Sequence, residues 1–574
     1  MRYQDSEWRS FATSSSIGGA TAESKLASDA PEVLPLLSQD HLEKALRRLR
    51  PQAIGRTIRH GVVPVDWRPD HVNYAISGLI GAAYARRHGL SVVAQVEPSG
   101  FQNSLRHVWG RRILRQATDG LSKAYPQFSA RRRVTVSQMV AFLLLAVCFG
   151  MGLAFFPAGA VWTALSAVIG IFFLSVVALR FFCLLPQPQR KNGNARHLAD
   201  YELPVYSVLV PVFREASVLE QLLRALSHLK YPPAKLDIKI IVEETDTTMR
   251  RAIQNYDLPT HFEVIVVPGG SPQTKPRALN YALQFCRGGL LTIYDAEDVP
   301  EPNQLREAAL KFSQGSVNLA CLQAKLTFYN PNENWLTRQF SAEYSTLFGL
   351  VLPALAGLGL PLPLGGTSNH FRIHILREIG GWDPYNVTED ADLGLRLARL
   401  GYRTGVVESF TYEEASPRLF NWLRQRARWI KGFMQTWLVH TRNPLRTASE
   451  LGPGGFWTLQ TFTASIFFSA LFHPFFIALT LWYLVINPLR SSFLLTVLNC
   501  LSLELFVLGY GVTMLAAIIA MRKRGMKGWW FTIATMPFYW LLMSIAAWLA
   551  LWQFVFTPFT WNKTEHGLSK LQEC

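Results

Sequence analysis

The chain has 574 residues and a formal charge of +17, yet only 17% of its residues are charged while 12% are aromatic. A soluble globular chain carries about 25% charged residues, so this composition argues for membrane helices beside a soluble part. The positive charge does not point to nucleic acid, and none is expected as a partner. Lys and Arg gather at Arg131–Arg133 and Arg522–Lys527, beside apolar runs, as on the cytoplasmic flanks of membrane helices. The six cysteines show no C-x-x-C or metal-ligand spacing, which fits a reduced compartment.

Residues 1–40, rich in Ser, Ala and Gly, read as a disordered N-terminus. Residues 41–130 read as a small, basic, cytosolic α/β domain with a docking or regulatory role. Residues 1–135 hold 20 Lys and Arg against 11 Asp and Glu, which predicts a cytosolic N-terminus. No signal peptide is expected, because the first apolar span begins after more than a hundred residues. No charge occurs between Arg133 and Arg180, so 134–185 is predicted to form two transmembrane helices with a turn at Pro157.

Between 200 and 440 the pattern alternates. The apolar, β-branched runs 206–213, 237–244, 262–268 and 290–295 predict strands, each followed by a helical run. This is the βαβ signature of a parallel sheet. The segment 456–560 predicts a C-terminal transmembrane region of three or more spans. Glu504, its lone carboxylate, is expected to face the bundle interior or a polar pore, or equally to make a structural hydrogen bond. Five spans with a cytosolic N-terminus would leave the C-terminus outside; alternatively, Pro537 breaks the last span into a re-entrant hairpin that returns the 561–574 tail to the cytosol, and the sequence leaves both open. The whole reads as a multi-pass protein of the inner (plasma) membrane with a cytoplasmic catalytic domain.

Five residue groups in the soluble part carry chemistry. Asp246, with Glu244 before it, ends the second predicted strand; it suits a ribose hydroxyl or a nucleobase N–H, or equally a helix N-cap. Lys275 and Arg277 open a helix in KPRALN, where cationic side chains and free N–H groups suit a diphosphate. Asp295, Glu297 and Asp298 follow the fourth strand, beyond the carboxyl end of the sheet, and either offer oxygen ligands to a hard divalent cation such as Mg²⁺ or form a solvated acidic turn. Thr388, Glu389 and Asp390 open another helix, either as a cap or with a general base poised over an acceptor hydroxyl. Gln425, Arg428 and Trp429 lie on adjacent turns of a basic amphipathic helix that suits a leaving diphosphate, a sugar face or anionic lipid.

TED followed by Q-x-x-R-W, downstream of KPRALN and an acidic D-x-E, resembles the processive, inverting family-2 glycosyltransferases, the group of cellulose, hyaluronan and chitin synthases. The resemblance covers about 200–440. It implies an α/β, GT-A (Rossmann-like) cytosolic domain embedded between transmembrane helices. The implied activity is inverting hexosyl transfer from a nucleotide-sugar, UDP-glucose first among them, to a growing polysaccharide such as a β-glucan. Export would be coupled, with membrane lipids and an accessory export protein as partners. The alternative is non-processive transfer to a lipid acceptor.

Carried over by position, the resemblance implies that Glu244, Asp246, Lys275, Asp295 and Arg428 bind the donor and its diphosphate, and that Asp295 and Glu297 hold the metal. Asp390 would be the base, with Glu389, Gln425 and Trp429 at the acceptor. Phe371, within LGGTSNHFR, would line the sugar subsite beside His370, or both would equally pack against the sheet. Two departures stand out: D-A-E replaces D-x-D, and Thr245-Asp246 replaces a pair of aspartates.

Overall fold

The computed structural model describes residues 34–67, 71–185, 198–486, 493–558, 567 and 569. Residues 1–33 of the expected disordered N-terminus and most of the 561–574 tail lie outside them. Contacts divide the chain into two units, Met1–Val108 and Trp109–Cys574.

In the first unit, α1 (Gln39–Arg48) and α2 (Pro51–His60) precede β1 (Val62–Trp67) and β2 (Val72–Ser77); α3 (Gly78–Arg87) then crosses to β3 (Ser91–Val96). β1 and β2 are antiparallel, β2 and β3 parallel. Gly61 ends α2 at φ +61°, and a Cβ there would lie 2.8 Å from the Ser77 carbonyl oxygen, so the turn demands glycine. Val62, Ile76 and Ala85 form the core. Helix α4 (Pro98–Ala124) follows.

The second unit continues with α5 (Val136–Phe155) and α6 (Ala158–Leu184), separated at Pro157. Thr135 and Gln138 form a capping box at the start of α5. The sheet domain then runs β4 (Tyr206–Val212), α7 (Leu219–Ser227), β5 (Leu236–Glu243), α8 (Thr247–Gln254), β6 (Phe262–Val267), α9 (Lys275–Leu283), β7 (Leu290–Ile293) and β8 (Val299–Pro300). It proceeds through α10 (Gln304–Gln314), β9 (Leu319–Phe328), α11 (Trp335–Thr346), a π-helical turn at Leu347–Val351 and α12 (Leu352–Gly357). It ends with β10 (Asn369–Arg372), α13 (Ile373–Glu378), α14 (Glu389–Arg399), β11 (Arg403–Glu413) and the long α15 (Leu419–His440).

The eight strands are ordered β6-β5-β4-β7-β10-β9-β11-β8. β4, β5, β6 and β7 are parallel, as predicted. The expectation of a parallel sheet needs correction on the other half, because β10 runs antiparallel to both β7 and β9, and β8 antiparallel to β11. Since β9 and β11 are parallel to each other, they point the same way as β4 to β7. The carboxyl ends of β4, β5, β7, β9 and β11 therefore share one edge, where an open α/β sheet binds its ligand. Behind that edge Val208, Val210, Ile238 and Ile240 pack against Leu222 and Leu226 of α7 and Leu305 and Phe312 of α10.

After α15 come α16 (Pro444–Thr458), a second π-helical stretch (Leu459–Ala464), α17 (Ser465–Ile486), α18 (Phe493–Lys523) and α19 (Trp529–Phe556). Ala427, Ile430 and Met434 of α15 pack on Ala546, Ala547 and Ala550 of α19, where small side chains let the backbones approach. Three helical stretches among the described residues are long and apolar enough to cross a membrane: Val136–Phe155, Ala164–Leu184 and Trp529–Phe556.

Two local expectations fail. Pro537 does not make a hairpin: α19 continues through it, since an apolar helix packed against neighbours absorbs the one hydrogen bond that proline removes. Glu504 is exposed on α18 instead of facing the bundle. The packed face of α18 is the one that carries Ala516, Ala517, Ala520 and Met521, and twelve residues of helix turn Glu504 about 120° away from Ala516.

Candidate active site

A cavity of about 1930 Å³ begins at the shared carboxyl edge of the sheet and continues between α6, α17, α18 and α19. At the sheet end it is lined by Lys275, Asp295, Glu297, Glu389, Asp390, Glu413, Gln425, Arg428 and Trp429. Four of the five motif groups thus converge on one space, though they span more than 150 residues of sequence. Both π-helical stretches also line it, through Phe348 and Phe462 among others. Such irregular turns often accompany functional sites.

Lys275 starts α9. Its Nζ lies 2.5 Å from Asp295 Oδ1 and donates to the Gly366 carbonyl at 2.8 Å. Burial works against its charge, but Asp295, Asp390 and Glu389 together hold its pKa above the ordinary lysine value. Asn280, one turn along α9, receives the Trp382 N–H at 2.9 Å and donates to the Trp382 carbonyl at 2.7 Å, tying this helix to the loop before α14.

Past β7 the chain turns at Asp295–Asp298. Asp298 is buried, and its Oδ2 accepts from the Asp295 N–H at 2.7 Å and from the Thr367 hydroxyl. It builds the turn, whereas Asp295 and Glu297 line the cavity. Burial, then repulsion from Asp295, pushes Glu297 up to about 8. Glu413, at the end of β11, is raised by burial and by Asp298, Glu297 and Asp295. This pocket of mutually repelling carboxylates is suited to a cation.

Asp390 lies in the first turn of α14 and is 5% exposed, and its Oδ1 is buried without a hydrogen-bond partner. A helix N-terminus is expected to depress its pKa. The structure reverses that expectation: burial, reinforced by Glu389 and Asp295, raises it well above the carboxylate range despite Lys275. Burial likewise raises Glu389 to about 7.

The loop before Asp390 is lashed to α15. Asn386 donates to Thr436 at 2.9 Å and Gln435 accepts from the Val387 N–H at 3.1 Å. Gly432 lets the two segments touch, since a Cβ there would lie 2.8 Å from the Thr388 backbone nitrogen. α15 also brings Arg428, whose pKa burial lowers while Glu389, Asp295 and Glu297 oppose the shift. Trp429 stacks on Tyr344 (centroids 6.3 Å apart, 28° between planes) and meets Phe340 edge-on.

Five predicted residues fall elsewhere. Phe371 is 1% exposed on β10, edge-on to Trp382 at 5.8 Å, and does not line the cavity. Beside it His370 is buried against the Tyr206 hydroxyl at 2.7 Å. Asp246 caps α8, and both of its oxygens are occupied, by the N–H groups of Met249 at 3.0 Å and Arg214 at 2.5 Å. Glu244 accepts from the Gly269 N–H at 2.9 Å. Arg277 is fully buried, its Nη2 donates to both Glu243 oxygens at 2.9 and 2.7 Å, and it does not line the cavity.

The sequence reading also missed Glu413 and the Arg426–Glu343 pair (2.6 and 2.8 Å), which Tyr539 of α19 joins. A carboxylate pair at a strand end, as in FTYEE, is the signal that would have found Glu413.

Comparison with known proteins now bears directly on this edge of the sheet. Residues 204–432 match the family described as "Glycosyltransferase like family 2". That stretch is a family-2 glycosyltransferase domain. A probable glycosyltransferase, YdaM, of Bacillus subtilis is 26% identical over 277 residues, 46% of this chain and 66% of the relative. Glucomannan 4-beta-mannosyltransferase 2 of Arabidopsis thaliana is 25% identical over 271 residues, 45% of this chain and 50% of the relative. A beta-monoglucosyldiacylglycerol synthase of Trichormus variabilis is 26% identical over 312 residues, 53% of this chain and 62% of the relative. The chain thus spans between half and two thirds of the length of these relatives. The matched family-2 segment contains all five motif groups.

Proposed function

We propose that this protein is a membrane-embedded, inverting hexosyltransferase that uses a nucleotide-sugar, with a GT-A arrangement of its sheet domain facing the cytoplasm. The observation that carries this reading is the convergence of Lys275, Asp295, Asp390 and Arg428 on one cavity. Lys275 and Arg428 sit where charge develops on the departing diphosphate and offset it. Asp390 holds an open, buried oxygen toward the acceptor and takes its hydroxyl proton as the oxygen attacks the anomeric carbon. Acting in its ionised form, which Lys275 favours, Asp390 is with its elevated pKa a stronger base than a solvent-exposed aspartate. Trp429, fixed by Tyr344 and Phe340, offers a flat face to a sugar ring.

Among the described residues no group of three or more His, Cys, Asp and Glu side chains is arranged to hold a metal unaided. The oxygen donors of Asp295 and Glu297 nevertheless fit Mg²⁺ or Mn²⁺, which typically takes one or two carboxylates and completes its shell with water and phosphate oxygens. Bound there, the ion would supply positive charge to the diphosphate.

The motif set suggests a growing polysaccharide as acceptor, with UDP-glucose as donor. The cavity walls favour the other acceptor, a lipid. Purified protein in detergent, given radiolabelled nucleotide-sugars, should release nucleoside diphosphate and label an acceptor. Absence of release from every nucleotide-sugar tested overturns the reading.

A further inference from the structure

Resting on the transferase reading, we infer that the acceptor is an amphipathic lipid with an anionic headgroup, held by Arg180 at the helix-lined end of the cavity. The walls there are aliphatic and aromatic, with Leu165, Ile169 and Phe173 from α6 and Phe462 and Ile466 from the segment around the second π-helical stretch. Hydroxyls occur among them but are turned inward. Thr461 donates to the Trp457 carbonyl, Ser465 to Phe462, Ser469 to Ser465 and Thr513 to Gly509. A polysaccharide strand carries hydroxyls along its whole length and needs partners for them. This passage offers few, whereas an acyl chain needs only apolar contact.

Tyr510 and His473 also line that wall and are hydrogen-bonded to each other at 3.0 Å; Arg180 is the cationic group beside them. It lies one turn from the end of α6, lines the cavity, and its Nη1 donates to Thr513 Oγ1 at 2.5 Å. Among the described residues it makes no ion pair. A guanidinium set in an apolar helix without a carboxylate marks a ligand path. Its planar fork of donors matches a phosphate. With the phosphate at Arg180 and the chains between the helices, a headgroup hydroxyl points along the same cavity toward Asp390. The hydroxyl oxygen bonds to the anomeric carbon, its proton passes to Asp390, and the bond from that carbon to the diphosphate breaks, its electron pair leaving with the nucleoside diphosphate. Product is a one-sugar glycolipid.

The test uses the full-length protein in phosphatidylcholine vesicles, alone or with phosphatidylglycerol or diacylglycerol, and radiolabelled nucleotide-sugar. Label should enter the chloroform-soluble fraction as one sugar per lipid, and only with phosphatidylglycerol. Arg180→Gln should raise the apparent KM for phosphatidylglycerol by about tenfold, and Arg180→Lys should recover part of that loss. Equal labelling of diacylglycerol, or an unchanged KM in Arg180→Gln, overturns the anionic subsite. Label found only in polymer overturns the lipid acceptor. In those cases continued release of nucleoside diphosphate leaves the transferase reading standing; no release from any nucleotide-sugar removes both.

Discussion

Asp246 and Asp390 stand in the same local setting, each at the start of a helix on the carboxyl edge of one sheet, and they have opposite fates. Asp246 precedes α8 as its N-cap and spends both oxygens on backbone N–H groups. Asp390 sits one position inside α14, so Thr388 occupies the cap and the aspartate turns into the cavity with an oxygen to spare. A shift of two residues relative to the helix start separates a carboxylate spent on the backbone from one that lines the cavity. Asp298 differs from Asp295 and Glu297 in another way: its Oδ2 is taken by the Asp295 N–H and the Thr367 hydroxyl, and its Oδ1, though without a partner, is buried outside the cavity lining that Asp295 and Glu297 share. At this edge, the carboxylates proposed for chemistry are those that line the cavity.

The hardest test of that contrast is the acidic turn. Excess EDTA should stop turnover, and Asp295→Asn should lower it by ~10³ or more, because the charge supplied to the diphosphate is lost. Asp298→Asn should be milder, since it disturbs a turn and not a ligand. The reverse ranking in steady-state assays would show that occupied oxygens are not idle. Next comes Asp390→Asn, which keeps the shape but accepts no proton and should reduce turnover by at least ~10². Donor affinity by calorimetry should stay near wild type and thermal stability should not fall, because the substitution relieves repulsion with Glu389. Wild-type turnover would return Asp390 to the same class as Asp246.

The contrast also explains what could be read in advance. β4 and β7 are rich in β-branched and apolar residues, and β5 and β6 hold the runs Ile240–Val242 and Val264–Val267, so their pattern is visible in a short window. β9 alternates Leu322, Ala324, Leu326 and Phe328 with Gln323, Lys325 and Thr327, a strand period, but β10, which runs antiparallel between it and β7, is only four residues long, so the antiparallel half of the sheet stayed hidden. The five motifs were legible because each is contiguous. The supports of Trp429 were not, since Tyr344 and Phe340 come from α11, more than eighty residues away. Nor was the direction of the Asp390 shift, which depends on burial that only the tertiary structure supplies.

A smaller effect should follow from moving the reactive aspartate without touching it. Gly432→Ala places a methyl 2.4 Å from Thr388 Cγ2 and 2.8 Å from its backbone nitrogen, so α15 and the base loop must separate. Displacements of that size should cost roughly 10-fold to 10²-fold in turnover. Full activity in Gly432→Ala would mean that the lashing of this loop to α15 does not position Asp390.

The smallest effect is the complement at the other helix. Asn caps a helix about as well as Asp, so Asp246→Asn would be silent if capping α8 were the whole role. Here the carboxylate accepts on both sides, from Met249 and Arg214, and an amide offers only one acceptor atom. One N–H must therefore lose its partner, and Arg214, held at φ +55°, loses a restraint. The expected result is a stability loss of about 1 kcal/mol by denaturant titration. The donor KM should remain within about twofold, since a change that leaves the site intact perturbs binding by less than ~0.5 kcal/mol. A donor KM raised tenfold without loss of stability would break the comparison, restore Asp246 to the nucleoside, and show that a fully hydrogen-bonded carboxylate can still be part of the site.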